Sequence, residues 1–528
     1  MAIDRVKLAA LIGPLPLRHW EHMALEKLRA VKGVEWIGSI AVTDVRDAPR
    51  GGAMFDRYVV QAMQGFGALG EPENAQDLGP EFSVNDPISH QADVVLCVGG
   101  ADGSTYRGRT GQEVWEFRNA DNSSPRSVPT GMRESFLGWP TVHADLLEST
   151  SGGVLLNGCF RSRPEDPAAC ADQILESIMG WPAAVMQERI ATGVSVPPPS
   201  EDELIAIPFP GFFTLLSHRF RKLLGSTGRG SSSPSIGEWN IGILHQPVHA
   251  LLRENASMNV RWMPATSKGK ARLEPFGYMD DEGELNVLYR KLTIEDGHSL
   301  ISRVRPKPDN ILKRSRTMLD IDGRHEYPFT LLIEGKVHVL QGSIDDDRIE
   351  LYQLNTTNDG LEKGSTIAEF GVHAPTLFQF RHRWWLMGTE DADGDTDLVI
   401  HHSASPFGPF VQVGSGPVKW DVRSARPAGV PFEHEGALYR PALDASDPHA
   451  SIVVLNRITR LDEHGFAEEE VQRIEGFRAT SYGLGVRTVS GMGDVTLVDG
   501  LRSPVVSGKK ANASRSKRRH SRKKDEGA

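Results

Sequence analysis

The chain has 528 residues, 69 acidic against 59 basic side chains and a formal charge of −10, a length that accommodates two or three domains each burying its own core. Nine Lys and Arg residues fall within 509–524, so the rest of the chain is more acidic still, which argues against a nucleic-acid surface on the folded body. Cys97, Cys159 and Cys170 are too few and too apolar in context for a disulfide framework or a zinc cluster, no apolar run reaches membrane-spanning length, and the N-terminus leads straight into an apolar strand; these features predict a soluble, cytoplasmic protein with no transmembrane segment.

In chain order, Val6 to Gly13 reads as an apolar strand and residues 18–31 as an amphipathic helix with Trp20, Met23, Leu25, Leu28 and Val31 on its buried face. Val34 to Val42 follows as a second strand, and this βαβ unit predicts a parallel sheet. Residues 92–98 supply another apolar strand that runs into Gly99-Gly100-Ala101-Asp102-Gly103. A turn of that composition at the carboxyl end of a central strand either receives a phosphate or nucleotide or simply ends the strand. Residues 168–190 read as one closing helix, and Pro197-Pro198-Pro199 stops it because each proline lacks a backbone donor.

The boundaries that follow are 1–195 for an α/β domain, 196–235 for a linker, 236–505 for an all-β domain and 506–528 for a tail. Within the linker, Gly211 to Leu224 predicts a short basic amphipathic helix that packs between the two domains, with lying on an anionic membrane surface as the alternative. The tail is rich in Ser, Lys and Arg without apolar periodicity, which predicts disorder and leaves it available to an anionic partner.

The all-β region is repetitive. Pro275, Pro328, Pro375 and Pro427 recur about every 50 residues, and each opens a similar run of strand, tight turn and strand, as a β-propeller blade requires. A fifth blade combines a hairpin over 483–500 with Trp239 to Leu244, closing the ring and removing two exposed sheet edges. The residue before each proline begins an innermost strand and faces the channel: Glu274, Tyr327, Ala374 and Arg426.

Arg426 and Arg440 are the channel residues suited to a carboxylate, a phosphate or sugar hydroxyls; alternatively each pairs with a nearby acid, Asp444 being the neighbour of Arg440. Tyr327 and His373 line the same space, and Trp384 and Trp385 alternate faces, so one packs in the core while the other stacks on a sugar ring, with Trp385 the candidate. Asp391 to Asp397 carries its glycine at the fourth position rather than the sixth and has no closing glutamate, so it reads as an exposed hairpin tip and no metal is expected.

Three resemblances extend this reading. The succession of Glu113 to Asp121, Arg126 to Glu134 and Thr150 to Leu156 resembles the formyltransferase-like fold, which implies a folate formyl donor and a His, Asp and Asn set that moves a proton from the attacking amine. Here Arg118 and Asn119 stand where histidine is expected and Thr150-Ser151 where aspartate is expected, leaving Asp121 and Glu134 as acidic candidates and Asn119 as a binding candidate. The propeller units resemble family 43 glycoside hydrolases, whose three carboxylates fall on Glu274, Ala374 and Arg426; one acid in three does not support inverting hydrolysis. Finally, Ser424 to Gly429, Leu438 to Asp444, Ile452 to Leu461 and Phe466 resemble the N-terminal module of glucosamine inositolphosphorylceramide transferases and bacterial relatives, which joins a formyltransferase-like domain to a five-bladed propeller. The plant proteins carry a glycosyltransferase domain after this module, and nothing like it follows here.

Together these predict an α/β formyltransferase-like parallel-sheet domain followed by a five-bladed β-propeller. The expected function is in glycoconjugate metabolism: binding an anionic sugar or sugar nucleotide, with group or glycosyl transfer. A non-catalytic glycan-binding or scaffold protein and a sugar N-formyltransferase are the alternatives, and Asp121, Glu134 and Glu274 are the catalytic candidates.

Overall fold

The structure, a computed structural model, describes residues 5–43, 55, 78–104, 106, 111–126, 128–193, 205–224, 237–253, 258–306, 315–320, 325–343, 347–355, 360–391, 393–414, 416–447, 451–478 and 480–502. The predicted proline run, Gly/Ser stretch and basic tail lie outside the described residues.

The first strands obey the expected order. β1 (Val6–Ile12) and β2 (Val34–Ala41) are parallel and joined by α1 (His19–Arg29), which turns Trp20, Ala24, Leu25 and Leu28 into the core. β3 (Glu81–Ser83) adds to β2, and β4 (Val94–Val98) pairs with the other side of β1. β1 and β4 are almost continuously apolar because both faces of a central parallel strand are covered. β5 (Glu113–Asn119) continues the parallel set, then β6 (Thr141–Glu148) runs antiparallel and β7 (Gly153–Arg161) reverses again. The helix α2 (Met132–Leu137) lies between β5 and β6.

The single helix expected over 168–190 is two, α3 (Pro167–Ile178) and α4 (Trp181–Thr192). Pro182 sits in the first turn of α4, where a missing donor costs nothing, but it cannot continue α3. α5 (Phe212–Leu224) follows, and Leu215 packs with Phe55, Val128, Met132, Phe136 and Ala171 of this same region, so it does not wedge between two domains.

The repeats form four separate four-stranded antiparallel sheets. The strands β8 (Glu238–Leu244) and β9 (Arg261–Trp262) come first. β10 (Lys270–Met279), β11 (Leu285–Thr293), β12 (Ser299–Val304) and β13 (Arg316–Leu319) form one sheet in sequence order. β14 (Phe329–Ile333), β15 (Lys336–Ser343), β16 (Arg348–Asn355) and β17 (Gly360–Ala368) form the next. A meander of β18 (His373–Phe380), β19 (Arg383–Thr389) and β20 (Asp397–Ser403) follows, with β21 (Val411–Gln412) and β22 (Lys419–Asp421) both pairing to β20. β23 (Phe432–His434), β24 (Ala437–Asp444), β25 (Ile452–Asp462) and β26 (Gly465–Ile474) make a further sheet. β27 (Val489–Met492) and β28 (Val495–Arg502) close on β8, with Thr496 opposite Leu244 and Arg502 opposite Glu238.

That closure is the one read from the sequence, and within the hairpin expected over 483–500 the first strand begins at Val489. Apolar clusters seal each sheet to the next: Ile241, Val287 and Leu497; then Phe276, Phe329, Leu340 and Leu377; then Phe378, Met387 and Leu438; then Leu443, Val453, Val489 and Val498. A ring of sheets sealed in this way is a β-propeller.

β22 also pairs in parallel with β7, Trp420 opposite Gly158 and Asp421 opposite Cys159. The meander and the N-terminal sheet are therefore one continuous twelve-stranded sheet, which a reading of two domains in series did not anticipate. The acidic turn 391–397, expected as an exposed tip, faces the N-terminal sheet instead: Arg161 pairs with Asp395 and Arg163 with Asp393, each at 2.6 Å. Asp391 organises that turn by accepting the backbone amides of Thr396 and Asp397 at 2.9 and 3.0 Å. Among the described residues no helix is long and apolar enough to cross a membrane.

Trp420 is buried against Trp181, ring centroids 5.6 Å apart, where the two halves join. Its truncation leaves a cavity at the seam. Trp420→Ala is expected to lower the unfolding free energy by about 3–5 kcal/mol, read from the urea midpoint; a change below about 1 kcal/mol would show that the seam adds little stability.

Candidate functional site

Glu274, Tyr327 and Ala374, each directly before a proline, have φ of 55, 47 and 49°. Left-handed backbone is disfavoured for residues with a Cβ, so its recurrence at three equivalent positions means that surrounding contacts impose it. The pairing of β10 with β11 slips between Leu273 and Phe276, and that of β18 with β19 slips between His373 and Thr376. The kinks turn backbone amides out of the ladders. Glu274 donates its amide to Asp499 Oδ2 of β28 at 2.9 Å, and Tyr327 donates its own to Glu274 Oε2 at 2.7 Å. Tyr327 Oη lies 3.1 Å from Thr376 Oγ1 and accepts from the Gly429 amide at 2.9 Å. The inner strands of different sheets therefore meet through one buried hydrogen-bonded ring.

The fourth repeat departs from this pattern. Arg426 has no left-handed backbone, and the special conformation falls on Gly429 at φ 150°, where a Cβ would lie 1.7 Å from Val489 O. Only glycine fits that approach.

Beside this ring runs a chain of alternating charge. Arg161 binds Asp395 Oδ2 at 2.6 Å, Asp395 Oδ1 lies 3.7 Å from Arg426, and Arg426 reaches Glu326 Oε1 at 3.3 Å. Glu326 Oε2 accepts from Arg290 at 3.1 Å, and Arg290 lies 3.6 Å from Glu274 Oε1. His373 Nδ1 stands 3.5 Å from Glu326 Oε1. Burial opposes ionisation of Glu326, but Arg426, His373 and Arg290 outweigh it and hold the carboxyl well below the usual range. The Glu326 side chain is 30 % exposed, against 3 % for Glu274 and 13 % for Asp395, so Glu326 is the most exposed carboxylate of this cluster.

The predicted channel residues thus separate. Glu274, Tyr327, His373 and Arg426 come together, with Glu326, Arg290 and Asp395, which the sequence reading missed, joining them. Glu326 stands one residue before the repeat position that was singled out. Arg426 is no free anion fork, since Nη1 also donates to Gly394 O at 2.8 Å. Gly394 has φ 71°, and a Cβ there would approach His373 and Arg426 within 2.4 and 2.8 Å, so the turn closes directly over both side chains.

Arg440 does not converge with Arg426. It is fully buried and donates to both oxygens of Glu468, at 2.9 and 2.5 Å, and to Ala425 O and Ser424 O. Asp444, the expected partner, binds Arg473 instead. Trp385 is a core residue whose indole donates to Phe380 O, and Trp384 is half-buried, so Trp385 offers no face to a sugar.

The N-terminal candidates form a second cluster at the end of β5. Asn119 donates to Ser123 Oγ and Val128 O, both at 2.9 Å, and accepts from Thr130 Oγ1 at 2.7 Å. Asp121 pairs with Arg133 at 2.6 Å and accepts from Ser123, while Arg133 also donates to Ile207 O. These bonds knit the loop to the segment after 205, which leaves Asn119 committed to the fold. Glu134 is buried in α2, and burial pushes its carboxyl up to about 7. At the glycine turn, Glu21 Oε1 accepts the Gly99 amide at 2.9 Å and pairs with Arg126, so an internal carboxylate occupies that amide in place of a ligand's anion.

A cavity of about 590 Å³ opens over β6, β7 and β22, lined by His143, Asp145, Asn157, Cys159, Asp421 and Arg423 among others. His143 Nε2 lies 3.8 Å from Cys159 Sγ. Burial pushes the thiol up to about 12 and lowers the imidazole, so the pair rests neutral and is not an activated nucleophile.

Residues 309–482 match the family described as glucosamine inositolphosphorylceramide transferase 1, N-terminal. The Arg-Pro-Ala-Gly and Tyr-Arg-Pro-Ala segments that carried this resemblance fall inside the match, and the resemblance is borne out there. The chain is 28 % identical over 155 residues to glucosamine inositolphosphorylceramide transferase 1 of Oryza sativa subsp. indica and 23 % identical over 151 residues to that of Arabidopsis thaliana. Each alignment covers 28 % of this chain and 20 % of the relative, so the chain spans about a fifth of the length of the curated relatives it matches. Among solved structures it is similar to a family 43 β-1,3-galactosidase, with a TM-score of 0.33 and 11 % identity over 40 % of this chain and 82 % of that one. A family 117 glycoside hydrolase of Zobellia galactanivorans gives a TM-score of 0.33 and 10 % identity over 51 % of this chain and 91 % of that one. Scores this low carry no argument about chemistry.

Two measurements test the structural roles assigned here. Arg440→Ala leaves the buried Glu468 short of its main partner and is expected to cost about 3 kcal/mol, whereas Arg440→Met with Glu468→Leu recovers at least half of the loss; equal losses in both would overturn the ion-pair account. Glu134 binds its proton more tightly in the folded state than in the unfolded chain, so its ionisation lowers stability as pH rises from its usual value toward about 7. Glu134→Gln is therefore expected to gain on the parent protein by roughly 3 kcal/mol at about pH 8 and by little near pH 4.5, read from urea titrations at both values.

Proposed function

We propose that the protein belongs to glycoconjugate transfer chemistry and that the cluster around Glu326 recognises the sugar part of its ligand. The observation that carries this is the reachable, ionised Glu326 carboxylate between Arg290 and His373. A carboxylate accepts hydrogen bonds from vicinal hydroxyls or an amino group, and a neighbouring guanidinium and imidazole donate to ring and hydroxyl oxygens. The similarity of residues 309–482 to an N-terminal transferase module supports the same class of substrate. Arg426, already committed to Gly394, Asp395 and Glu326, acts as a positioning residue, so the favoured ligand is a hydroxyl- or amine-bearing sugar more than an anionic one.

A non-catalytic binding role is the second reading. Its support is that Glu326, the reachable acid, is held ionised and so is poorly suited to donate a proton to a leaving group. Formyl transfer finds no comparable support, because the Asn119 amide is engaged by Ser123 and Val128. We read the β18 to β22 unit as a fifth blade, supported by its meander order and its apolar seams with both neighbouring sheets, and the N-terminal sheet as formyltransferase-like, supported by the order of its elements.

Thermal-shift screening of the full chain against glucosamine, N-acetylglucosamine, nucleotide sugars and a folate formyl donor tests these readings. Stabilisation by a sugar-bearing ligand is expected, with affinity weakened at least tenfold in Glu326→Gln and kept in Arg440→Met. Unchanged affinity in Glu326→Gln would sink the site, and stabilisation by the folate alone would replace the sugar reading. Turnover of the bound ligand separates transferase from binding protein.

A further inference from the structure

We propose that α5 is a docking helix for an anionic lipid surface, a role independent of the sugar reading above. Among the described side chains, Leu215 and His218 fasten the helix to the N-terminal region. Leu215 is buried with Phe136 and Met132, and the His218 ring stands edge-on to Phe136 at 4.9 Å. Phe213, which the helical period turns away from Leu215, is 81 % exposed, and Phe212 at the start of the helix is 48 % exposed, their rings 5.4 Å apart. Two adjacent aromatic rings presented to water are costly for a monomeric surface and mark a place where something else covers them.

The electrostatics of the segment select the partner. No Asp or Glu occurs from residue 204 to 237, in a chain that holds 69 of them. The same stretch contains Arg219, Arg221, Lys222 and Arg229. A cationic segment on an otherwise acidic chain is repelled by nothing local and is attracted to a negative surface, while aromatic residues enter the boundary between headgroups and acyl chains. The thirteen-residue helix meets the plane of a bilayer lengthwise, and it is too short and too polar to cross one.

The test is flotation of the full chain with vesicles of phosphatidylcholine alone and of phosphatidylcholine with about 30 mol% phosphatidylglycerol. Binding to the anionic vesicles is expected to exceed binding to the neutral ones at least tenfold and to weaken as salt is raised. Phe212→Ser with Phe213→Ser is expected to weaken it about tenfold, and Arg221→Glu with Lys222→Glu to abolish it, with unchanged melting curves confirming that the fold survives. Absence of binding, equal binding to neutral vesicles, or anionic binding untouched by the phenylalanine changes would each overturn the proposal. The last result would transfer the attraction to the cations of 509–524.

Discussion

Asp499 and Glu274 are buried carboxylates on neighbouring sheets, and each accepts the backbone amide that a kink before proline releases on the next sheet. Each partner offsets a cost of the other. A left-handed residue with a Cβ costs about 1–3 kcal/mol, and a buried carboxylate without donors costs more. Joined, the amide satisfies the carboxylate and the carboxylate fixes the kink. Burial still pushes Asp499 up to about 6, despite the amides of Glu274, Arg487 and Thr488 that favour its ionised form. The ring is therefore a structural element first, and the charges beside it inherit their positions from it.

The inherited positions set the charge state of the centre. Glu326 is set between Arg426, His373 and Arg290, and the two guanidinium groups together with the hydrogen bond from His373 keep its carboxyl ionised. Arg426 in turn is fixed by the turn at Gly394 and by Asp395, which is itself held by Arg161 from the N-terminal sheet. The charge chain thus begins in β7 and ends at Glu274, crossing the seam where β22 completes the twelve-stranded sheet. Every link of this chain, from Arg161 to Glu274, is hydrogen-bonded or within ion-pair distance.

Much of the architecture was legible because it rests on local period and on repeats. Proline spacing announced the blades, and the apolar run of β8 found its partner β28 from the need to close an edge. β6 escaped notice although Val142, Ala144 and Leu146 alternate with His143, Asp145 and Leu147, because that alternation lies between stretches weighed for catalytic motifs. The candidate site was less legible. Arg440 and Arg426 look alike in sequence, each followed by Pro-Ala, yet one side chain is consumed by Glu468 and the other stands at the centre. Glu326, the most exposed acid of the cluster, carries no motif of its own.

By itself the sequence determined the ring of antiparallel sheets, the βαβ start and the points where strands turn, since these depend on side-chain period, proline and glycine acting over a few residues. Which charges stay partly exposed and which are spent inside was decided only by tertiary structure. Ion pairs such as Arg161 with Asp395 and Arg426 with Glu326 join residues far apart in the chain, and their selection depends on burial and on competing partners that no local pattern encodes. The parallel pairing of β22 with β7 belongs to the same class: three residues of strand, unremarkable in sequence, unite the two halves because a free sheet edge and a free strand meet there.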